Sequence, residues 1–218
     1  KYSDSKKKGD KPKYVGTLGD ESNDNKKLRT LQSCLRITYT SPKTMHWITV
    51  ILSNLLENEA TDIISVLENY CKKKVVDSDY QNRKGFGFER IVFCYLDYLI
   101  YRDGYSYDGK EIISSMQEDW QFQFRSSVEH FYPQHPVEGE QWEEDDLNGF
   151  GNLALITISG NSKFSNLPPV GKINSYPSVI KQSLKLKIME KMTKLGDGKW
   201  TEAKSSIHKD EMFSILNN

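Results

Sequence analysis

The sequence predicts a mainly α-helical domain that surrounds a small ββα unit, and three observations carry that prediction. Apolar residues recur at three- and four-residue spacing between Thr44 and Leu99, and again between Ile180 and Ile215. Two short extended runs, Val128–His130 and Leu153–Ile158, flank an acidic loop. The helix-start residues Ser159, Asn161 and Ser162 follow the second run directly.

The chain of 218 residues is long enough for one good core or two small ones. A hydrophobic content of 37%, with Tyr and Phe abundant, implies a globular body. The formal net charge is zero, which neither demands nor excludes a nucleic-acid partner, so the distribution decides more. Residues 136–147 hold six acids and no base, whereas 163–204 hold nine lysines against Glu190, Asp197 and Glu202. A basic face beside an acidic loop is therefore possible, and a solvated lysine-rich helix is the plainer alternative. Cys34, Cys71 and Cys94 are odd in number and widely spaced, with no CxxC pair. They suggest neither a disulfide scaffold nor a zinc knuckle, and a reducing, cytoplasmic compartment is expected. No signal peptide and no apolar run near about eighteen residues argues for a membrane. The first residue is Lys, as expected of a fragment of a longer protein.

Taken in order, residues 1–27 are polar, Gly-rich and of alternating charge, and read as a disordered tail or interdomain linker. Residues 28–125 form the helical part. LRTLQSCLRITY (28–39) is open between strand and helix, and Pro42 ends it. Trp47, Val50, Ile51 and Leu55 make one helical face, and Ile63, Val66, Leu67 and Tyr70 another. After a polar loop over 77–87, Ile91, Val92, Tyr95, Leu96 and Leu99 mark the buried side of a third helix. His46 reads as a packed or surface histidine. RDGYSYDGK (102–110) carries two Asp-Gly turn steps without the EF-hand pattern. Trp120, Phe122 and Phe124 alternate with polar residues and are expected in the core. The ββα core is expected over 126–172, and C-terminal helices over 173–218. Among these, Ile180, Leu184 and Ile188 lead a helix ending near Gly196, and Thr201 caps a last one.

Phosphodiester hydrolysis needs charge neutralised at phosphate oxygens and a base to take the proton from water. Glu129 and His130 are consecutive on an extended segment, so their side chains diverge, one to hold a cation and one to face a water. Asn161 supplies a neutral carbonyl oxygen. Oxygen ligands of this kind favour Mg²⁺ or Mn²⁺ over zinc. Asn152, in the Gly-Asn-Leu step, is suited to tie down the loop and orient His130. Singly, each residue has a plainer reading: a His-x-x-Pro by chance, asparagines in turns.

Jointly, SVEHFYPQ (127–134), GFGNLALI (149–156) and GNSKFSNLPPVGK (160–172) resemble the ββα-metal nucleases of the HNH type. The resemblance is to the C-terminal nuclease domain of GmrSD-type modification-dependent restriction and phage-defence proteins. It implies a mainly α fold with a ββα-metal core and a metal-dependent DNA endonuclease or nickase. It also implies Glu129 and Asn161 as ligands of Mg²⁺ or Mn²⁺, His130 as general base and Asn152 as a structural residue of the catalytic motif. A nucleotide-hydrolysing sensing domain on the N-terminal side of the same polypeptide is implied as partner, with DNA as the other. Two departures stand out. The first-motif acid is Glu129 rather than the commoner Asp, and the third motif has Asn161 where His is usual, so any metal is held by oxygens only.

Lys163 and Lys172 flank the third motif as expected phosphate contacts. His135, beyond Pro133, and His208, on the last helix, are accessory candidates for the water shell or the cleft. Two other functions fit the same residues. One is a catalytically silent helical module that docks onto DNA or a protein; the other is a ribonuclease of the same chemistry. The Glu129–His130 pair favours an enzyme, because a docking module has no use for a base beside a metal ligand.

Overall fold

The computed structural model describes residues 23–58, 60–195 and 197–218. Nearer the N-terminus it describes only a backbone pairing of β1 (Tyr2–Ser3) with β2 (Lys13–Tyr14). The expected tail or linker over 1–27 otherwise lies outside the described residues as far as residue 22. Its last residues belong to a helix, α1 (Asn23–Thr38), which settles the open reading of 28–39. Leu28, Leu31, Cys34 and Leu35 recur at helical spacing and are buried on its inner face.

After the short turn Pro42–Thr44 come α2 (His46–Glu57) and α3 (Ile63–Asp77). Asp62 caps α3 by accepting from the amides of Ile64 and Ser65. The helix at the centre is α4 (Arg90–Asp103). Every residue from Ile91 to Tyr101 is buried, so the one-sided face expected from the sequence is wrong for this helix. Its polar-looking side is covered too, because α1 and α3 pack on it along with α9 (Leu184–Leu195) and α10 (Glu202–Asn217).

Gly104 ends α4 at a positive φ of 77°. The hairpin of β3 (Tyr105–Tyr107) and β4 (Lys110–Ile113) then turns on Asp108 and Gly109, both at positive φ, as the Asp-Gly step predicts. The segment that follows is irregular. Trp120 is buried and Phe122 half-buried, but Phe124 is exposed while Arg125 is buried, so the expected alternation slips by one residue there.

The second ribbon pairs β5 (Ser127–His130) with β6 (Leu153–Ile156) in antiparallel register, Glu129 opposite Ala154 and His130 opposite Leu153. Between them lies the acidic loop with α5 (Glu144–Leu147), held down by Trp142 stacked on Tyr132 at 4.3 Å. Directly after β6, Thr157 caps α6 (Ile158–Phe164) by accepting from the Gly160 amide. The helix therefore starts three residues before Asn161 rather than at it. Then come α7 (Pro169–Ser175), α8 (Pro177–Ile180), α9 and α10, the last capped by Thr201 as expected. The chain is thus mainly helical with small antiparallel strand pairs. Among the described residues no helix is long and apolar enough to cross a membrane.

Two buried polar clusters position the β5–β6 ribbon on this helical body. The Asp97 carboxylate of α4 accepts from Arg125 at 2.6 Å, from the Lys185 amide at 2.8 Å and from Ser183 at 3.2 Å. Arg125 also donates to the Leu155 carbonyl of β6. Nearby, Lys185 is wholly buried and donates to the carbonyls of Phe150 and Leu153. A chain crossing closes the other side. A Cβ on Gly151 would meet the Ser205 carbonyl of α10 at 1.9 Å, so only glycine lets these backbones approach.

Candidate active site

Side chains alternate along β5, so Ser127 and Glu129 share one face and His130 points to the other. On the first face, Asn161 of α6 donates through Nδ2 to Ser127 Oγ at 2.7 Å. That bond uses the amide nitrogen and leaves the carbonyl oxygen of Asn161 as a donor toward a cation. Glu129 is almost entirely buried, and its Oε1 accepts from Lys172 Nζ at 2.7 Å. Burial pushes its carboxyl above the ordinary value, and the Lys172 ammonium pulls it back.

Lys172, expected on a DNA-facing surface, has no exposed surface at all. It sits on α7, and its ammonium donates to Glu129 and to the His130 carbonyl, with the Phe164 ring 5.4 Å away. A cation so enclosed cannot touch a phosphate on the surface, because its stem and head are spent inside. Lys163, on α6, is exposed and keeps that possibility.

On the opposite face His130 is buried, with Nε2 bonded to Asn148 Oδ1 at 2.9 Å. A carbonyl oxygen only accepts, so the proton lies on Nε2 and the lone pair on Nδ1. Burial holds the imidazole below its ordinary pKa, and Lys172 adds to that, while the Asn148 bond opposes it. The exposed Phe86 ring meets the imidazole edge-on at 5.9 Å.

Asn148 is the neighbour of His130 that the sequence reading missed. Its carbonyl accepts from the Gly85 amide at 2.8 Å, and its side chain packs against Gly85, which has φ of 52°. The Gly-Phe-Gly step at 85–87 was the available signal. It reads as loop punctuation until the fold brings it beside the acidic loop.

Asn152 ties down the loop through backbone hydrogen bonds, as its place in the Gly-Asn-Leu step suggests. It is fully buried, its Oδ1 accepts from the Tyr132 amide and from Trp200, and its Nδ2 donates to the carbonyls of Tyr132 and Leu147. It fixes the main chain just after His130 and the end of the acidic loop, whereas the imidazole itself is held by Asn148.

The accessory histidines part company. His135 is exposed. His208 is wholly buried against Trp200, with neither ring nitrogen hydrogen-bonded, so it lines no cleft. His46 is exposed at the start of α2.

The fit to a metal can be judged from the donors. Among the described residues no group of three or more His, Cys, Asp or Glu side chains is placed to hold an ion. The donors that remain are one carboxylate oxygen of Glu129 and the carbonyl oxygen of Asn161. Asn161 is bonded to Ser127, which lies on the same face of β5 as Glu129. Two oxygens suit a hard dication that keeps most of its water or takes further oxygens from a phosphate.

A family model described as GmrSD restriction endonucleases, C-terminal domain, matches residues 75–215. No curated protein and no solved structure gives a significant match.

Proposed function

The chain belongs to the GmrSD restriction endonuclease C-terminal domain family, and on that premise we propose that it is a metal-dependent DNA endonuclease or nickase domain working at Glu129, His130 and Asn161. The observation that carries this reading is the held imidazole. His130 directs Nε2–H to Asn148, keeps Nδ1 as a base, and stands one residue from a carboxylate on the opposite face.

In this reading Glu129 and Asn161 hold one Mg²⁺ or Mn²⁺, which when bound stabilises the charge that develops on the phosphate oxygens. Nδ1 of His130 accepts the proton of the attacking water, and the lowered pKa keeps that nitrogen unprotonated at neutral pH. Asn148 holds the ring so that its lone pair stays in register with the phosphate. Asn152 fixes the backbone behind it. Lys163 contacts the DNA backbone without reading sequence. A sensing domain elsewhere in the polypeptide would choose the target, because nothing in 126–172 reads as a base-recognition element.

The test is relaxation of supercoiled plasmid with Mg²⁺ or Mn²⁺, compared with folded His130→Ala protein under single-turnover conditions. Loss of about 10²-fold or more is expected of a general base. A variant that cuts as fast as the parent overturns the assignment, and His135 is then the next base to examine. The docking-module reading draws on α2, where Ile48, Leu52 and Leu56 form an exposed apolar stripe. Binding without cutting in every dication would favour it. Cleavage of RNA in preference to the plasmid would favour the ribonuclease.

A further inference from the structure

We propose that Lys172 is a built-in counter-cation that makes metal capture at Glu129 conditional on DNA. The proposal rests on the reading of Glu129 as a metal ligand and goes beyond it by assigning the regulation of that ligand.

Among the described residues Lys172 is the only charged partner of Glu129, and little of the pair meets water: Lys172 exposes 0% and Glu129 8% of its side chain. The carboxylate and the ammonium cancel, so the pocket is electrically neutral before any dication arrives. Inside a protein this matters more than at a surface, because the low dielectric leaves the lysine charge poorly screened from an ion only a few ångströms away. A dication approaching the free oxygens of Glu129 and Asn161 therefore meets one anion already neutralised.

A scissile phosphate changes the sum, since it adds negative charge and oxygen ligands to the same side of the ribbon. Metal and DNA then bind as a pair, each strengthening the other by the same factor. The second bond of Lys172, to the carbonyl of His130, ties the counter-cation to the residue that bears the base. Its place is set by packing on three sides. The stem rises from α7, the ammonium faces the Phe164 ring, and both acceptors lie on β5. A lysine kept only for stability could sit on any buried carboxylate. This one covers the acid beside the imidazole.

The experiment is titration of Mn²⁺, read by electron paramagnetic resonance of the free ion, with and without a duplex DNA, in protein carrying His130→Ala to prevent cutting. In that background Mn²⁺ should bind weakly alone and at least about tenfold more tightly with DNA. Lys172→Met should strengthen DNA-free Mn²⁺ binding by about tenfold or more and shrink the gain from DNA, while lowering the melting temperature of the metal-free protein. Lys172→Gln, which keeps a donor for both acceptors, serves if the Met variant fails to fold. Lys172→Arg keeps the charge and should retain weak DNA-free binding.

DNA-free affinity unchanged in folded Lys172→Met or Lys172→Gln overturns the proposal, as does equal Mn²⁺ affinity of the Lys172-containing protein with and without DNA. Failure of the underlying reading looks different: Glu129→Gln would then leave Mn²⁺ binding in the presence of DNA unchanged.

Discussion

Asn148 acts on the candidate base through one atom, and that makes its contribution separable from folding. Asn148→Ala removes the acceptor that sets the tautomer of His130 and leaves Nε2–H without a partner. Cleavage should fall by roughly 10–10² fold with little change in DNA affinity, because orientation of a base matters chiefly when the proton moves. Asn148→Asp, which keeps an acceptor and adds a charge, should instead raise the imidazole pKa and carry the acid limb of the pH–rate profile upward. In the unmodified protein that limb is expected below the ordinary histidine value of 6.5, since burial and Lys172 hold the ring's pKa down. A limb above 6.5 in single-turnover rates contradicts this account.

His208 offers a second test at the same scale. Burial and the neighbouring Lys185 push its pKa well below the ordinary 6.5. The unfolded chain therefore binds a proton near pH 6.5 that the folded chain refuses until far lower pH. Stability is fully present above 6.5 and declines below it, by about 1.4 kcal/mol per pH unit until the folded value is reached. His208→Phe keeps the ring beside Trp200 and loses the proton. The difference in urea unfolding free energy between parent and variant should therefore tilt toward the variant as pH drops from 7 to 5. A pH-independent difference would mean that His208 takes up its proton as readily in the fold as in the unfolded chain.

Between elements, the Asp97 cluster fastens α4, the approach to β5, β6 and the start of α9 to one carboxylate. The pair it makes with Arg125 is wholly buried, and Arg125 Nε and Nη2 have no hydrogen-bond partner. Removing one charge leaves the other stranded in a low dielectric, so Asp97→Ala should cost about 3–5 kcal/mol by denaturant titration. The double variant Asp97→Leu, Arg125→Met should recover most of that loss. Recovery stays incomplete because the Lys185 amide loses its acceptor. A double variant no more stable than Asp97→Ala would argue against a stranded charge as the cause.

For the whole molecule, the family match begins at residue 75, inside α3, yet the core does not. Leu31, Cys34 and Leu35 of α1, with Leu67 and Cys71 of α3, are fully buried in the same apolar cluster as α4. A fragment of residues 75–218 therefore exposes the apolar face of α4 that these residues cover. It should lose its cooperative thermal transition and bind a hydrophobic dye, whereas residues 23–218 should melt in one step. Equal melting of the two would show that α1 is an appendage.

The local elements were legible in the chain because their causes are local. Helical spacing from Thr44 onward, the Asp108–Gly109 turn and the Thr201 cap each depend on neighbours a few residues away and are present where the sequence points. The two β runs are present too, except that the second stops at Ile156 and Ile158 opens α6 exposed. The Glu129–His130 step and its divergence across β5 were legible for the same reason, as a strand alternates whatever surrounds it. What only the tertiary structure decided are the partners that arrive from afar. Lys172 reads as a surface cation until α7 turns it inward over Glu129, and His208 reads as a cleft residue until α10 closes on Gly151. Asn148 acquires its role from Gly85, 63 residues earlier in the chain. Spacing along a chain constrains residues within a turn or a strand, whereas burial and charge pairing depend on which distant surfaces meet.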